Sequence, residues 1–167
     1  MKTPPERIGF GGGCHWCTEA VFQVLSGVRD VAQGFVRSRA PHDSWSEAVV
    51  VTFDPGEIDL RTLIEVHLRT HASTSAHKMR GKYRSAIYTF DDQQARRAAD
   101  GLRELQPDFS QPLVTLVLDH VEFRASDERF QNYYATNPAR PFCRNYIDPK
   151  LRLIRATYAD LTRPLPP

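Results

Sequence analysis

Ile8-Gly9-Phe10-Gly11-Gly12-Gly13-Cys14-His15-Trp16-Cys17 is the stretch on which the reading of this chain turns. Ile8-Gly9-Phe10 has the composition of a short strand, and the glycines after it allow a tight loop with close backbone approach. From Cys14 a helical pattern takes over: Cys17, Ala20, Val21, Val24 and Leu25 share one face, and Ser26-Gly27 ends it. A strand that turns through glycines into a helix opens an α/β unit. The turn places Cys14 at a helix start, where unpaired N–H groups and the helix dipole favour an anion, so a lowered thiol pKa is expected there. Trp16 adds a flat apolar wall suited to a methyl or thioether group. Cys17 lies one turn further on, where side chains are about 5–6 Å apart at Cβ. A disulfide needs nearer ~3.8 Å, so the first turn must adjust for the two to join. Because Cys17 also falls on the apolar stripe, core filling and redox partnership both stand open.

Working outward, Val28 to Val36 reads as a second strand weakened by Gly34. Glu47 to Phe53 is the clearest strand, with Glu47, Val49, Val51 and Phe53 on one face and Ala48, Val50 and Thr52 on the other. Asp54-Pro55-Gly56 turns the chain, and Asp59 is placed to cap a helix reaching His71 with a Leu60, Leu63, Ile64, Leu68 stripe. Ser85 to Phe90 reads as strand, Asp92 to Leu105 as amphipathic helix, Leu113 to Leu118 as strand and Ser126 to Ala135 as a short helix. The order predicts an α/β fold, in layer terms an α+β sandwich. A mixed β-sheet with packed helices is expected around a ferredoxin-like βαββαβ core over about 7–118. The stretch from 119 to about 160 is turn-rich and weakly patterned, and reads as a long irregular C-terminal wrap. No repeat or linker divides residues 1–167, so a single domain is expected, with fraying ends at Pro4-Pro5 and at Pro164, Pro166 and Pro167.

Composition narrows the function classes. The 167 residues are 41% apolar and 25% charged with a net charge of +2, which excludes a disordered, collagenous or coiled-coil chain. That balance gives no reason to expect nucleic acid or an anionic membrane as partner. No run approaches the roughly 20 apolar residues of a membrane span. Met1-Lys2-Thr3-Pro4-Pro5-Glu6 has no apolar signal-peptide region. Three cysteines are too few for a secreted disulfide scaffold, so a cytoplasmic, reducing location is expected.

Gly13-Cys14-His15-Trp16-Cys17 with Glu19 resembles the Gly-Cys-Phe-Trp-Gly/Cys-x-Glu signature of A-type peptide methionine sulfoxide reductases. The resemblance continues through Gly34-Phe35, Glu47 to Pro55, Tyr83-Arg84-Ser85-Ala86-Ile87, Gln131-x-Tyr133, Asn137-Pro138 and Phe142-Cys143, in the family's order. It implies a methionine-S-sulfoxide-type substrate, as oxidised protein or small molecule, with Cys14 as the nucleophile that becomes a sulfenic acid. Glu47 would be the acid protonating the departing oxygen, and apolar burial favours the protonated carboxyl such a donor needs. Tyr83 would hydrogen-bond the sulfoxide oxygen. Cys143 matches the recycling cysteine of the family, and mobility of its segment would carry it to Cys14. Cys17 competes with it as the resolving thiol, or the two act in sequence. The resemblance further implies no bound cofactor, no metal, and an external thioredoxin-like dithiol as reductant.

Departures fall within the site. His15 stands where the family has Phe, Phe35 replaces a Tyr, Lys78 replaces an Asp, Phe130 a His and Phe142 a Tyr. His15, Trp16, Phe35 and Lys78 are therefore the candidate substrate-binding shell. The basic run from His77 to Arg84 either is a solvated loop or, with Lys78, selects a small anionic sulfur oxide. Two other classes use the same residues. Cys14-x-x-Cys17 could serve a general thiol–disulfide oxidoreductase. His67 and His71, four apart on one helix face, could join His77, Cys14 and Cys17 in a metal-binding module.

Overall fold

The structure, a computed structural model, describes residues 3–164. β1 (Glu6–Gly11), α1 (His15–Gln23), β2 (Val28–Arg37), β3 (Ser46–Phe53), α2 (Leu60–Arg69), β4 (Ala86–Thr89), α3 (Asp92–Leu105) and β5 (Leu116–Asp119) follow in the expected order. Asp59 caps α2 by accepting the Thr62 N–H at 2.7 Å, and Asp91 caps α3 through the Gln94 N–H at 2.7 Å. The strand expected over Ser85 to Phe90 is shorter, because Tyr83, Arg84 and Ser85 precede the sheet and their polar groups bind loops. The Arg84 N–H donates to Ser46 Oγ at 2.8 Å.

A further short strand, β6 (Glu122–Ala125), completes a sheet of order β5-β4-β1-β3-β2-β6. The inner strands β4, β1, β3 and β2 pair antiparallel, which is the ferredoxin-like arrangement, and β5 joins β4 in parallel to make the sheet mixed. Alternation along β3 works as its sequence suggests. Val49, Val51 and Phe53 enter the main core with residues of α1, α2 and α3, while Ala48 and Val50 join a smaller cluster with Val36, Ala86 and Tyr88. Gly34 does not weaken β2. A Cβ there would lie 2.2 Å from the Arg124 carbonyl, so the glycine is what lets β6 pair.

The C-terminal region is less irregular than expected. Beyond β6 come a turn at Glu128–Phe130, the one-turn helix α4 (Tyr133–Thr136), a π-turn at Cys143–Ile147 and the helix α5 (Asp148–Thr157). α5 buries Leu151 and Ile154 in the main core. Residues 161–163 are tied down, with the Ser26 N–H on the Leu161 carbonyl and the Arg163 N–H on the Val24 carbonyl, each at 2.7 Å. The fraying expected at Pro166-Pro167 lies outside the described residues. Among the described residues no helix is long and apolar enough to cross a membrane.

Candidate active site

Cys14 occupies the N-cap position of α1, and its carbonyl accepts the N–H groups of Cys17 at 3.1 Å and Thr18 at 3.3 Å. The glycine loop before it runs directly against the turn after α2: a Cβ at Gly12 would lie 2.4 Å from the His71 ring. Arg80 holds the loop from the other side. Its guanidinium donates to the carbonyls of Gly12 and Tyr83, both at 2.9 Å, and of Ser75 at 2.8 Å. The backbone ahead of Cys14 is therefore fixed by a histidine on one side and an arginine on the other.

The side chains of Cys14 and Cys17 hydrogen-bond to each other. That contact, and then burial, push the Cys14 thiol up, although the Trp16 N–H pulls it down. The same contact lowers Cys17, helped by Lys150. The lowered pKa expected for Cys14 is thus not its resting condition: contact with Cys17 and burial hold its thiol up, while Cys17 is the sulfur drawn down. Cys17 meets both descriptions left open by its spacing, since it is buried in the core and touches Cys14. A cavity of about 50 Å³ behind the pair is lined by Gly12, Gly13, Cys14, Cys17, His71 and Lys150 among others.

Glu47 is brought to the same helix start by sheet register. It pairs with Phe35 across β2 and β3, and is only 6% exposed. Its Oε1 accepts the backbone N–H of His15 at 3.2 Å, which satisfies one of the unpaired donors of α1. His15 is equally buried. Its Nδ1 lies 2.7 Å from the Gly34 carbonyl, its Nε2 3.4 Å from Glu47 Oε1, and Phe35 packs edge-on at 5.2 Å. Burial lowers the imidazole's affinity for a proton. On the other oxygen of Glu47, Lys82 Nζ stands at 3.7 Å, and it also lies 5.2 Å from the centre of the half-buried Tyr83 ring.

Trp16 forms an aromatic wall beside Cys14. Tyr133 stacks on it at 4.2 Å and 7° from parallel, Phe130 tilts against it at 5.4 Å, and Phe142 meets it edge-on at 5.4 Å. Its indole Nε1–H is buried with no hydrogen-bond partner among the described residues. Glu19, fully buried, accepts the N–H groups of Asn132 and Tyr133 at 3.0 Å each, and so sets the start of α4 against α1. Arg140 covers the far face of Tyr133, 4.1 Å from the ring centre.

Two expectations and one alternative are placed differently by the structure. Cys143 does not sit on a mobile loop: it opens the π-turn, is 0% exposed, contacts the Asn137 carbonyl at 3.6 Å, and lies near enough to Cys17 to feel its charge. The run around Lys78 is not a basic pocket, because its guanidiniums are taken up by loop groups. Arg80 binds carbonyls, and Arg84 is buried against Tyr88 Oη and Ser44. Lys78 itself is exposed on the turn Lys78–Gly81, and the cation at Glu47 is Lys82. His67 and His71 do not form a metal centre with the cysteines. They donate to the Gly11 and His67 carbonyls, and among the described residues no group of three or more His, Cys, Asp or Glu is placed to hold a metal ion. Sequence reasoning left out Lys82, Tyr133, Glu19 and Lys150. The first three lay beside or within motifs it used; Lys150 carried no local signal.

The site combines paired thiols at a helix start, a buried carboxyl and an aromatic wall, a set suited to two-electron thiol redox chemistry. The family model described as peptide methionine sulfoxide reductase matches residues 6–161. A peptide methionine sulfoxide reductase MsrA of Deinococcus radiodurans is 34% identical over 174 residues, covering 95% of this chain and 84% of that one. One of Thermus thermophilus is 33% identical, covering 96% of this chain and 99% of its own. The solved methionine sulfoxide reductase A of Corynebacterium diphtheriae superposes with a TM-score of 0.69 at 26% identity, over 82% of this chain and 77% of that one. The chain belongs to the peptide methionine sulfoxide reductase family.

Proposed function

We propose that this chain, working as a single domain, reduces methionine-S-sulfoxide-type substrates by thiol chemistry at Cys14. The observation that carries the reading is the meeting of three groups at one helix start: the Cys14 thiol, the Cys17 thiol in contact with it, and the Glu47 carboxyl bonded to the His15 N–H. The Cys14 proton passes to Cys17 along their hydrogen bond, leaving the Cys14 thiolate to attack. Glu47 supplies the proton to the sulfoxide oxygen, and Tyr83 donates to that oxygen from beside Lys82. Trp16, stacked on Tyr133, and Phe35 offer the apolar surface for the methylthio group.

Oxygen transfer leaves a sulfenic acid on Cys14 and a free sulfide. Cys17 then attacks the sulfenic sulfur, its proton leaves with the hydroxyl as water, and a Cys14–Cys17 disulfide results. Contact between Cys14 and Cys17, and burial of Cys143, favour Cys17 as the first resolving thiol. Cys143, placed to sense the charge on Cys17, follows as second in a relay. An external dithiol of the thioredoxin type restores the thiols, in a reducing, cytoplasmic setting where the three cysteines stay free.

The test is reduction of peptide-bound methionine S-sulfoxide, free methionine sulfoxide and small anionic sulfoxides with a dithiol donor. Turnover by wild type and none by Cys14→Ser supports the reading. Equal activity of the two overturns it. The exposure of Lys78 and the internal use of Arg80 and Arg84 point away from a selective anionic substrate, so Lys78→Asp is expected to leave the substrate order unchanged. The same thiol contact would suit a general thiol–disulfide oxidoreductase, for which exchange without sulfoxide would match the sulfoxide rate.

A further inference from the structure

Sheet register carries the site outward past Glu47. Phe35 of β2 pairs with Glu47 of β3 on one side and with Arg124 of β6 on the other, so these side chains stand in one row on the face that packs against α1. Two cross-strand steps of about 5 Å put Arg124 roughly 10 Å from Glu47 at Cα. Phe35 bridges them: its ring centre lies 5.2 Å from that of His15 and 5.1 Å from the Arg124 guanidinium. We propose that Arg124 is a specificity-determining residue, which binds a carboxylate carried by the substrate beside its sulfoxide-bearing side chain. This rests on the reading of Cys14 and Glu47 as the groups that meet the sulfoxide.

Arg124 is exposed, and its guanidinium lies over the Trp45 ring at 4.8 Å as well as over Phe35. Stacking uses the flat faces of a guanidinium and leaves its N–H edges to bind, and those edges match a carboxylate. They have no carboxylate partner among the described residues. The neighbouring cations are all engaged. Arg37, two residues beyond Phe35 on the same face, is held by Glu122 at 2.8 Å. Arg39 is held by Asp119 at 3.0 Å, Arg129 by Asp127 at 3.3 Å, and Lys82 stands at Glu47. Glu122 is also the acid that shares strand and face with Arg124, so the group best placed to neutralise Arg124 is committed to Arg37.

On the opposite side of Glu47 the row is closed by the glycine loop, where a Cβ at Gly11 would lie 3.0 Å from the Glu47 carbonyl. A sulfoxide held between Cys14 and Glu47 therefore lays the short aliphatic stem of its methionine over Phe35, toward Arg124. A free or C-terminal methionine sulfoxide brings its α-carboxylate there, and an internal one brings the side chain of an adjacent acidic residue. Arg124 meets neither the reacting sulfur nor its oxygen. Its contact is equal in ground and transition states, so its effect falls on KM rather than kcat. Because the pair forms at the surface, the gain is a modest preference among methionine-type substrates rather than a demand for an anion, and it declines with salt.

The test is kcat/KM for matched substrates that differ only in charge. One pair is N-acetylmethionine S-sulfoxide and its amide; the other is a peptide with Asp or with Asn after the sulfoxide residue. Wild type is expected to prefer the carboxylate member of at least one pair by about three- to tenfold, through KM. The pair that responds identifies the α-carboxylate or the flanking acid as the source. Arg124→Leu is expected to bring that ratio to about one, and Arg124→Glu to invert it. No preference in wild type, or the same preference in Arg124→Leu, overturns the proposal. A second measurement needs no turnover: the Nε–H NMR signal of Arg124 in Cys14→Ser, expected to shift with a carboxylate-bearing sulfoxide and to stay in place with its neutral partner. Failure of wild type to reduce any of these sulfoxides would overturn the proposed function instead, and the NMR signal would still decide the role of Arg124.

Discussion

Cys14 illustrates how a residue's neighbours can reverse the effect of its position. A helix N-terminus alone would draw the thiol toward thiolate, but the hydrogen bond to Cys17 and burial leave the proton on Cys14. In the proposed reaction, the residue that frees the Cys14 thiolate is the one that later closes the disulfide. Glu47→Gln keeps the shape of the site while removing the donated proton, so Cys14 oxidation measured by stopped-flow single turnover is expected to slow by about 10²–10⁴-fold. Tyr133→Ala removes the stacked support of Trp16 and is expected to raise the KM for a sulfoxide substrate about three- to tenfold, with a smaller change in kcat. Steady-state kinetics would separate the two parameters.

At the scale of elements, local pattern decided most of what could be read. α3 has the bounds its amphipathic stripe predicts, Asp59 caps α2 as expected, and the faces of β3 divide as their alternation implies. β6 was illegible because its side chains are mostly exposed and its existence depends on a glycine about ninety residues earlier that admits a close backbone. α5 buries only Leu151 and Ile154, too thin a stripe to announce a helix after Asp148-Pro149. The same division holds in the site. Cys14, Trp16 and Glu47 could be found from motif and strand pattern, whereas Lys82 at Glu47 depends on how the turn before β4 returns to the helix start, and Lys150 near Cys17 on how α5 packs. The loop before Cys14 makes a further demand. Gly12→Ala drives a methyl into the His71 ring, so a loss of about 1–3 kcal/mol is expected, read as a lowered midpoint in urea unfolding.

Across the whole molecule, the polar chain beneath the glycine loop links stability to pH. His71 donates to the His67 carbonyl and meets Ser85 Oγ at 2.7 Å, and Ser85 in turn meets Thr115 at 2.8 Å. Burial lowers His71 from an ordinary 6.5 to about 4, and His67 also falls well below its ordinary value. The unfolded chain therefore takes up protons near pH 6.5 that the folded chain refuses. The stability from His71 is fully present above that pH and is lost as pH falls toward 4, by about 3 kcal/mol in all. Urea unfolding between pH 7 and pH 4 is expected to show this decline, with a shallower one in His71→Gln. At the same scale, the β1 turn, the register of β3 against β2 and the buried C-terminal segment converge on one sulfur pair. The most direct measurement is peptide mass spectrometry of the wild-type thiols after one equivalent of methionine S-sulfoxide. Expected is loss of the Cys14 and Cys17 thiols together, as a disulfide between them, with Cys143 still free at the earliest time. Unmodified Cys14, or a first disulfide that omits it, would contradict the thiol relay at its root.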